Sequence, residues 1–133
     1  RLVANEKVEG STPFARSNFM TNLLNKKCVP CEGGAVAFDI SEIHKYQKKV
    51  DGWNIIKNKK NVYLLEKKFT FKNFLKSQSF VNEVGKISEQ EGHHPDISFG
   101  WGYAIINVTT HSIEGLSEND FILAAKIDKI INV

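Results

Sequence analysis

Over residues 72–90 the apolar side chains Phe74, Leu75, Phe80, Val81, Val84 and Ile87 recur at helical spacing. The stretch therefore reads as one long helix with a single broad apolar face. Gly92 is placed to end it, and Pro95 cannot continue it. Such a helix needs a flat apolar partner, and the sequence on either side supplies one. In residues 62–71, Tyr63, Leu65, Phe69 and Phe71 share one parity, interrupted only by Lys67. In residues 103–111, Ala104, Ile106, Val108 and Thr110 form one face, while Tyr103, Ile105, Asn107, Thr109 and His111 form the other.

The remaining elements fall around these. Asp39 or Ser41 caps a short helix to about residue 50, with Ile40, Ile43 and Tyr46 on one side. Residues 52–56 read as a short strand, joined by the polar turn 57–61 to the strand 62–71 as an antiparallel hairpin. A further strand is predicted over 97–101. Ser117-Glu118-Asn119-Asp120 is a capping-box-like start for a last helix to about residue 131, with Phe121, Ala124, Ile127 and Ile131 inward. The predicted fold class is α+β: a single domain with a four-stranded antiparallel sheet and helices packed on one face. Residues 1–35 lack a sustained period and read as a loosely ordered N-terminal arm carrying Cys28-Val29-Pro30-Cys31, so the domain proper spans 36–133.

Composition narrows the function classes. The chain has 133 residues, 41% of them hydrophobic and 25% charged, which excludes a disordered or fibrous chain. The densest apolar run, Phe121 to Ala125, is broken by Lys126, far short of a membrane-spanning segment, so no membrane is expected. The net charge of +3 comes from lysines interleaved with acids, a solvated surface rather than a nucleic-acid stripe. A cytoplasmic location is expected. The chain opens on Arg1 rather than Met, which suggests a trimmed start and keeps an organellar origin open.

Of four histidines, His93 and His94 stand at the end of the long helix and His111 stands 18 residues beyond His93. A strand out and a strand back covers that count, so the chain can bring all three together. Imidazole titrates near pH 6.5, and a cluster with no strong nucleophile beside it points to general acid–base chemistry. His-His-Pro alone would be equally at home in a polar turn. A three-histidine zinc site is the rival, but adjacent histidines diverge and the usual ligand spacings are absent, so no metal is expected. Cys28 and Cys31 are half of a zinc-ribbon signature with no second cysteine pair. They read as reduced thiols, with zinc (helped by His44 and Glu32) or redox chemistry as alternatives. Trp53 and Trp101 offer flat surfaces for a heterocycle, though either could equally be core. Asp120 has a structural task available in the first turn of its helix.

Taken jointly, Glu89-x3-His93-His94-Pro95, Trp101, His111 and Asp120 resemble the signature of the pterin-4a-carbinolamine dehydratases, also called dimerisation cofactors of the homeodomain factor. The likeness extends through Gly52-Trp53-Asn54, Lys68-Phe69-Thr70-Phe71-Lys72-Asn73-Phe74 and Thr110-His111-x3-Gly115-Leu116-Ser117-Glu118. It covers residue 40 to the C-terminus, and Cys-x-x-Cys-Glu-Gly-Gly looks like the leader of some non-animal members. Trp101 stands where many members carry Tyr, the turn at 57–61 looks longer than in compact animal members, and residues 1–27 align with nothing.

The resemblance implies a dehydratase that converts 4a-hydroxytetrahydropterin, a by-product of aromatic amino acid hydroxylation, to quinonoid dihydropterin in tetrahydrobiopterin recycling. It implies no cofactor, and a homodimer or homotetramer. His93 and His111 would be the acid–base pair and His94 the group positioning the pterin. Glu89 and Asp120 would orient the imidazoles, Trp53 and Trp101 would contact the substrate, and Pro95 would hold the turn. The ring edge would bond to the backbone near Thr109 and Thr110. The alternative is a non-enzymatic coactivator or dimerisation module that takes a protein partner on its sheet or helix face.

Overall fold

The computed structural model describes residues 23–29 and 36–130. Asp39 opens the first helix, α1 (Ile40–Gln47), by accepting a hydrogen bond from the Glu42 N–H. Strands β1 (Asn54–Lys57) and β2 (Tyr63–Thr70) form the expected hairpin. Its turn passes through Asn61 at φ 62°, and the Asn58 side chain accepts from the Lys60 and Val62 N–H groups. The long helix α2 (Phe74–Glu91) is capped by Asn73, whose side chain accepts from the Lys76 N–H. Strands β3 (Asp96–Gly100) and β4 (Tyr103–Val108) follow, then a 3-10 turn (His111–Ile113) and helix α3 (Glu118–Asp128).

The sheet order is β1-β2-β4-β3, antiparallel throughout. Crossing by α2 sends β3 to the outer edge, so β4 returns beside β2 and its C-terminal end lies next to the start of β3. The α+β expectation therefore holds. Among the described residues, no helix is long and apolar enough to cross a membrane.

Leu65, Ala104, Ile106 and Val108 on one sheet face meet Phe80 and Val84 of α2 and Phe121, Ala124 and Ile127 of α3, all sealed from solvent. Two departures from simple periodicity have physical causes. On α2 the buried line is Ser77, Phe80, Val84 and Ser88, whereas Phe74 and Leu75 are 44% and 69% exposed. The serines can sit inside because their hydroxyls return to helix carbonyls, Ser77 to Asn73 and Ser88 to Val84. On α3, Ile122, Leu123 and Ala125 are buried as well as the predicted Phe121, Ala124 and Ile127. The helix lies between layers: the Phe38 and Tyr46 rings cover it, with centroids 6.3 and 5.3 Å from Phe121. Ile131 lies outside the described residues.

Two further corrections bear on the site. β4 ends at Val108, so His111 is not on a strand but on the 3-10 turn beyond it. The N-terminal arm is not loose where it is described, since Leu23 is 2% exposed within the core and residues 26–29 bond to α2 and α3.

Lys67 explains its own exception to the alternation of β2. Its ammonium reaches Asp128 Oδ1 at 2.8 Å and the Asp51 carbonyl at 2.7 Å, and lies 4.9 Å from the centre of the Phe69 ring. Asp128 Oδ2 also accepts from Trp53 Nε1 at 3.0 Å. Asp128→Ala strands both donors and should cost about 1–3 kcal/mol. A lowered urea midpoint at unchanged slope would record it, and an unchanged midpoint would refute the arrangement.

Candidate active site

The end of α2 sets the site. Gly92 takes φ 63°, its N–H bonds to the Glu89 carbonyl and the His93 N–H bonds to the Ser88 carbonyl, the paired bonds of a Schellman termination. The chain leaves the helix in a fixed direction, with His93 turned inward (side chain 13% exposed) and His94 outward (58%). His94 Nε2 lies 2.5 Å from Glu89 Oε2, but that carboxylate is 79% exposed, so the pair orients the ring more than it stabilises the fold.

His93 Nε2 lies 2.7 Å from Oδ1 of Asp120, which has no exposure to solvent. The other carboxylate oxygen accepts from the Thr110 hydroxyl at 2.7 Å and from the Ser117 N–H at 2.9 Å, the latter as part of the capping box that starts α3. With Oδ2 occupied by donors, the network assigns the His93 proton to Nε2 and leaves Nδ1 as the nitrogen open to a bound molecule.

His111 comes from the loop between β4 and α3. Thr110 and Gly115 close that loop by exchanging both backbone bonds, and Glu114 turns it at φ 53°. At its base a Cβ on Gly115 would meet the Ala37 Cβ at 2.6 Å, and the Phe38 N–H bonds to the Leu116 carbonyl. Among the described residues the His111 imidazole has no hydrogen-bond partner.

These parts surround one cleft of about 260 Å³, lined by Val29, Gly92, His93, His94, Thr109, Thr110, His111, Ser112 and Asn119. Thr109 and His111 also border a neighbouring depression beneath the Lys59–Lys60 turn. The three predicted histidines are therefore brought together, with Asp120 behind His93 and Glu89 beside His94.

Other predicted residues sit differently. Both threonine hydroxyls are committed, Thr109 to the Tyr63 carbonyl and Thr110 to Asp120, and the Thr110 N–H is committed to Gly115. Trp53 is 2% exposed, bonded to Asp128 and packed edge-on to Phe69, so it is core rather than a wall of this cleft. Trp101 is 71% exposed in the β3–β4 turn, at the far end of β4 from Thr109. Pro95 follows the histidines without lining the cleft, and His44 sits on α1, 3.4 Å from Gln47.

Sequence reasoning missed Val29 and Asn119, which bond reciprocally: the Val29 N–H donates to Asn119 Oδ1 at 3.0 Å, and Asn119 Nδ2 donates to the Val29 carbonyl at 2.5 Å. No local pattern signals such a pair, because its members lie 90 residues apart. Beside it, the Cys28 N–H donates to Glu91 Oε1 at 2.9 Å, and Lys126 reaches Glu91 Oε2 at 2.5 Å. Burial pushes the Cys28 thiol up to about 12, with the Glu91 charge adding to it, so it stays protonated at neutral pH. Among the described residues no three His, Cys, Asp or Glu side chains converge to hold a metal ion; Cys31 and Glu32 lie outside them.

Comparison with known proteins agrees with this geometry. The sequence profile of the family described as pterin 4 alpha carbinolamine dehydratase matches residues 37–130. The chain belongs to that family. A family member from Rubrobacter xylanophilus, named "Putative pterin-4-alpha-carbinolamine dehydratase", is 42% identical over 84% of this chain and 100% of its own. One from Halorhodospira halophila with the same name is 44% identical over 82% of this chain and 97% of its own. The solved structure of a transcriptional coactivator/pterin dehydratase from Brucella melitensis shares the fold, with TM-score 0.65 and 24% identity, over 72% of this chain and 99% of that one.

Two outcomes test the dehydratase-family site as built. Gly92→Ala meets no atom within 4 Å, so its cost is the left-handed backbone alone, about 1–2 kcal/mol. A loss well beyond that in chemical denaturation would mean that Gly92 does more than terminate α2. Burial pushes the Glu91 carboxyl up, but the bonds from Lys126 and the Cys28 N–H outweigh it and hold the group below 4.5. Its stabilisation is therefore present above pH 4.5 and lost as pH falls through the lower folded value. The melting-temperature gap between wild type and Glu91→Gln should be constant near neutrality and close below that pH. A gap that widens in acid would refute the assignment.

Proposed function

We propose that the chain dehydrates a pterin-4a-carbinolamine to the quinonoid dihydropterin by histidine acid–base catalysis, as in the recycling of tetrahydrobiopterin. One observation carries the reading: His93, backed by the buried Asp120 carboxylate, and His111, with no hydrogen-bond partner among the described residues, border the same small cleft. The C4a–O bond breaks as the oxygen takes a proton and leaves as water, and the ring nitrogen's lone pair forms the C=N bond. The N–H proton then passes to a base. Both events are proton transfers, so the reaction as written requires no metal and no bound cofactor.

His93 keeps its Nε2 proton on Asp120 and exchanges through Nδ1, and the buried carboxylate favours the imidazolium formed in the process. His111 serves as the complementary acid or base. His94, held by Glu89, positions the ring edge. Stopped-flow absorbance of freshly generated 4a-hydroxytetrahydropterin tests this. Wild type should accelerate its decay, and His93→Ala and His111→Ala should each lose about 10²–10⁴-fold. No acceleration by wild type at micromolar concentration would sink the reading.

The coactivator alternative has one observation of its own. Phe74 and Phe99 pack at 5.6 Å, and with Leu75 and Trp101 they leave large apolar side chains in solvent at one end of the sheet. We infer that this patch serves association with a second copy or another protein. His93→Ala should leave that association unchanged while removing dehydration, and loss of both together would merge the two readings.

A further inference from the structure

Val29 is anomalous in two respects. Its main chain is fully occupied, with the N–H given to Asn119 Oδ1 and the carbonyl taken by Asn119 Nδ2, yet its side chain is 64% exposed. Anchoring of this segment is done by others: Leu23 in the core, Lys26 on Glu118 at 2.6 Å, Lys27 on the Gln90 carbonyl at 3.1 Å, and Cys28 on Glu91. The isopropyl group therefore contributes little to holding the strap down.

A single exposed valine is ordinary on a protein surface. This one is the only aliphatic side chain among the described residues lining the cleft, where the rest are glycine, histidines, hydroxyls and an amide. Small-molecule sites are usually apolar with a few polar groups fixing orientation. Here Val29 is the one aliphatic side chain that the described lining offers to the face of a flat heterocycle, beside imidazole rings and threonines.

We propose that Val29 is a substrate-contacting wall of the cleft that sets affinity for the ring face, and that Asn119 is the positioning residue that holds it there. The strap lies N-terminal to residues 37–130, the segment matched by the family profile. The ligand class is a flat, uncharged bicyclic heterocycle whose edge meets the imidazoles. In that respect the inference rests on the dehydratase reading.

The test combines calorimetric titration of 7,8-dihydropterin with dehydration kinetics, on the full chain, for wild type, Val29→Ala, Asn119→Ala and the double variant. Val29→Ala should raise Kd and KM roughly tenfold, with kcat within about twofold and an unchanged melting temperature, the mark of lost uniform binding. Asn119→Ala should reproduce the affinity loss, and the double variant should bind no worse than Asn119→Ala alone.

Unchanged Kd in Val29→Ala overturns the wall and leaves the dehydratase reading intact. Wild type that binds 7,8-dihydropterin without accelerating dehydration overturns the dehydratase reading, and the Kd ratio alone then decides the wall. Wild type that binds no pterin overturns both. If Asn119→Ala does not fold, Val29→Ala still decides, because an exposed side chain can be shortened without disturbing the core.

Discussion

A carboxylate sealed from water persists only where donors surround it, and Asp120 is placed where three chain segments must supply them. His93 comes from the end of α2, Thr110 from beyond β4, and Ser117 from the start of α3 itself. Their convergence, with the N-terminal end of the α3 dipole, offsets the cost of burial. It also ties the register of the sheet to the ends of two helices: if β4 slipped by one residue, Thr110 would leave the carboxylate and the buried charge would lose one of its three donors. The same group that starts a helix thereby fixes the tautomer of the imidazole at the cleft.

Much of this was legible in the sequence, and for local reasons. Alternation in β2 and β4, the helical stripe of α2 and the Gly92 stop depend on neighbours a few residues apart. The three histidines could be brought together by counting a strand out and a strand back, and Asp120 could be placed by its capping box. Other features depend on distant partners. Lys67 breaks the alternation of β2 because Asp128 waits 61 residues away. Trp53 looked available for stacking until that same Asp128 claimed its N–H. The enclosure of α3 on its outer side comes from Phe38 and Tyr46, which its own periodicity cannot announce.

The strap at residues 26–29 is the extreme case. It has no period and no cap, yet it reaches α2 and α3 through Gln90, Glu91, Glu118 and Asn119. Its order is borrowed from elements formed by the rest of the chain, which is why composition read it as loose. The cleft histidines sit at the end of α2 and in the loop beyond β4, on elements that hydrophobic burial positions, whereas the outer rim of the cleft is made by polar tethers. Rim and core therefore draw stability from different interactions and respond differently to acid.

The backbone at Gly115 runs so close beneath Ala37 that only a hydrogen fits, and the bonds from Thr110 to Gly115 and from Phe38 to Leu116 grip the same base. A loop clamped in this way has lost its hinges. What can still move is the tip, residues 111–114, and above all the imidazole about its own side-chain torsions, a matter of picoseconds to nanoseconds rather than the microseconds of loop closure. The imidazole of His111 is thus free to reorient while the wall that bears it stays still.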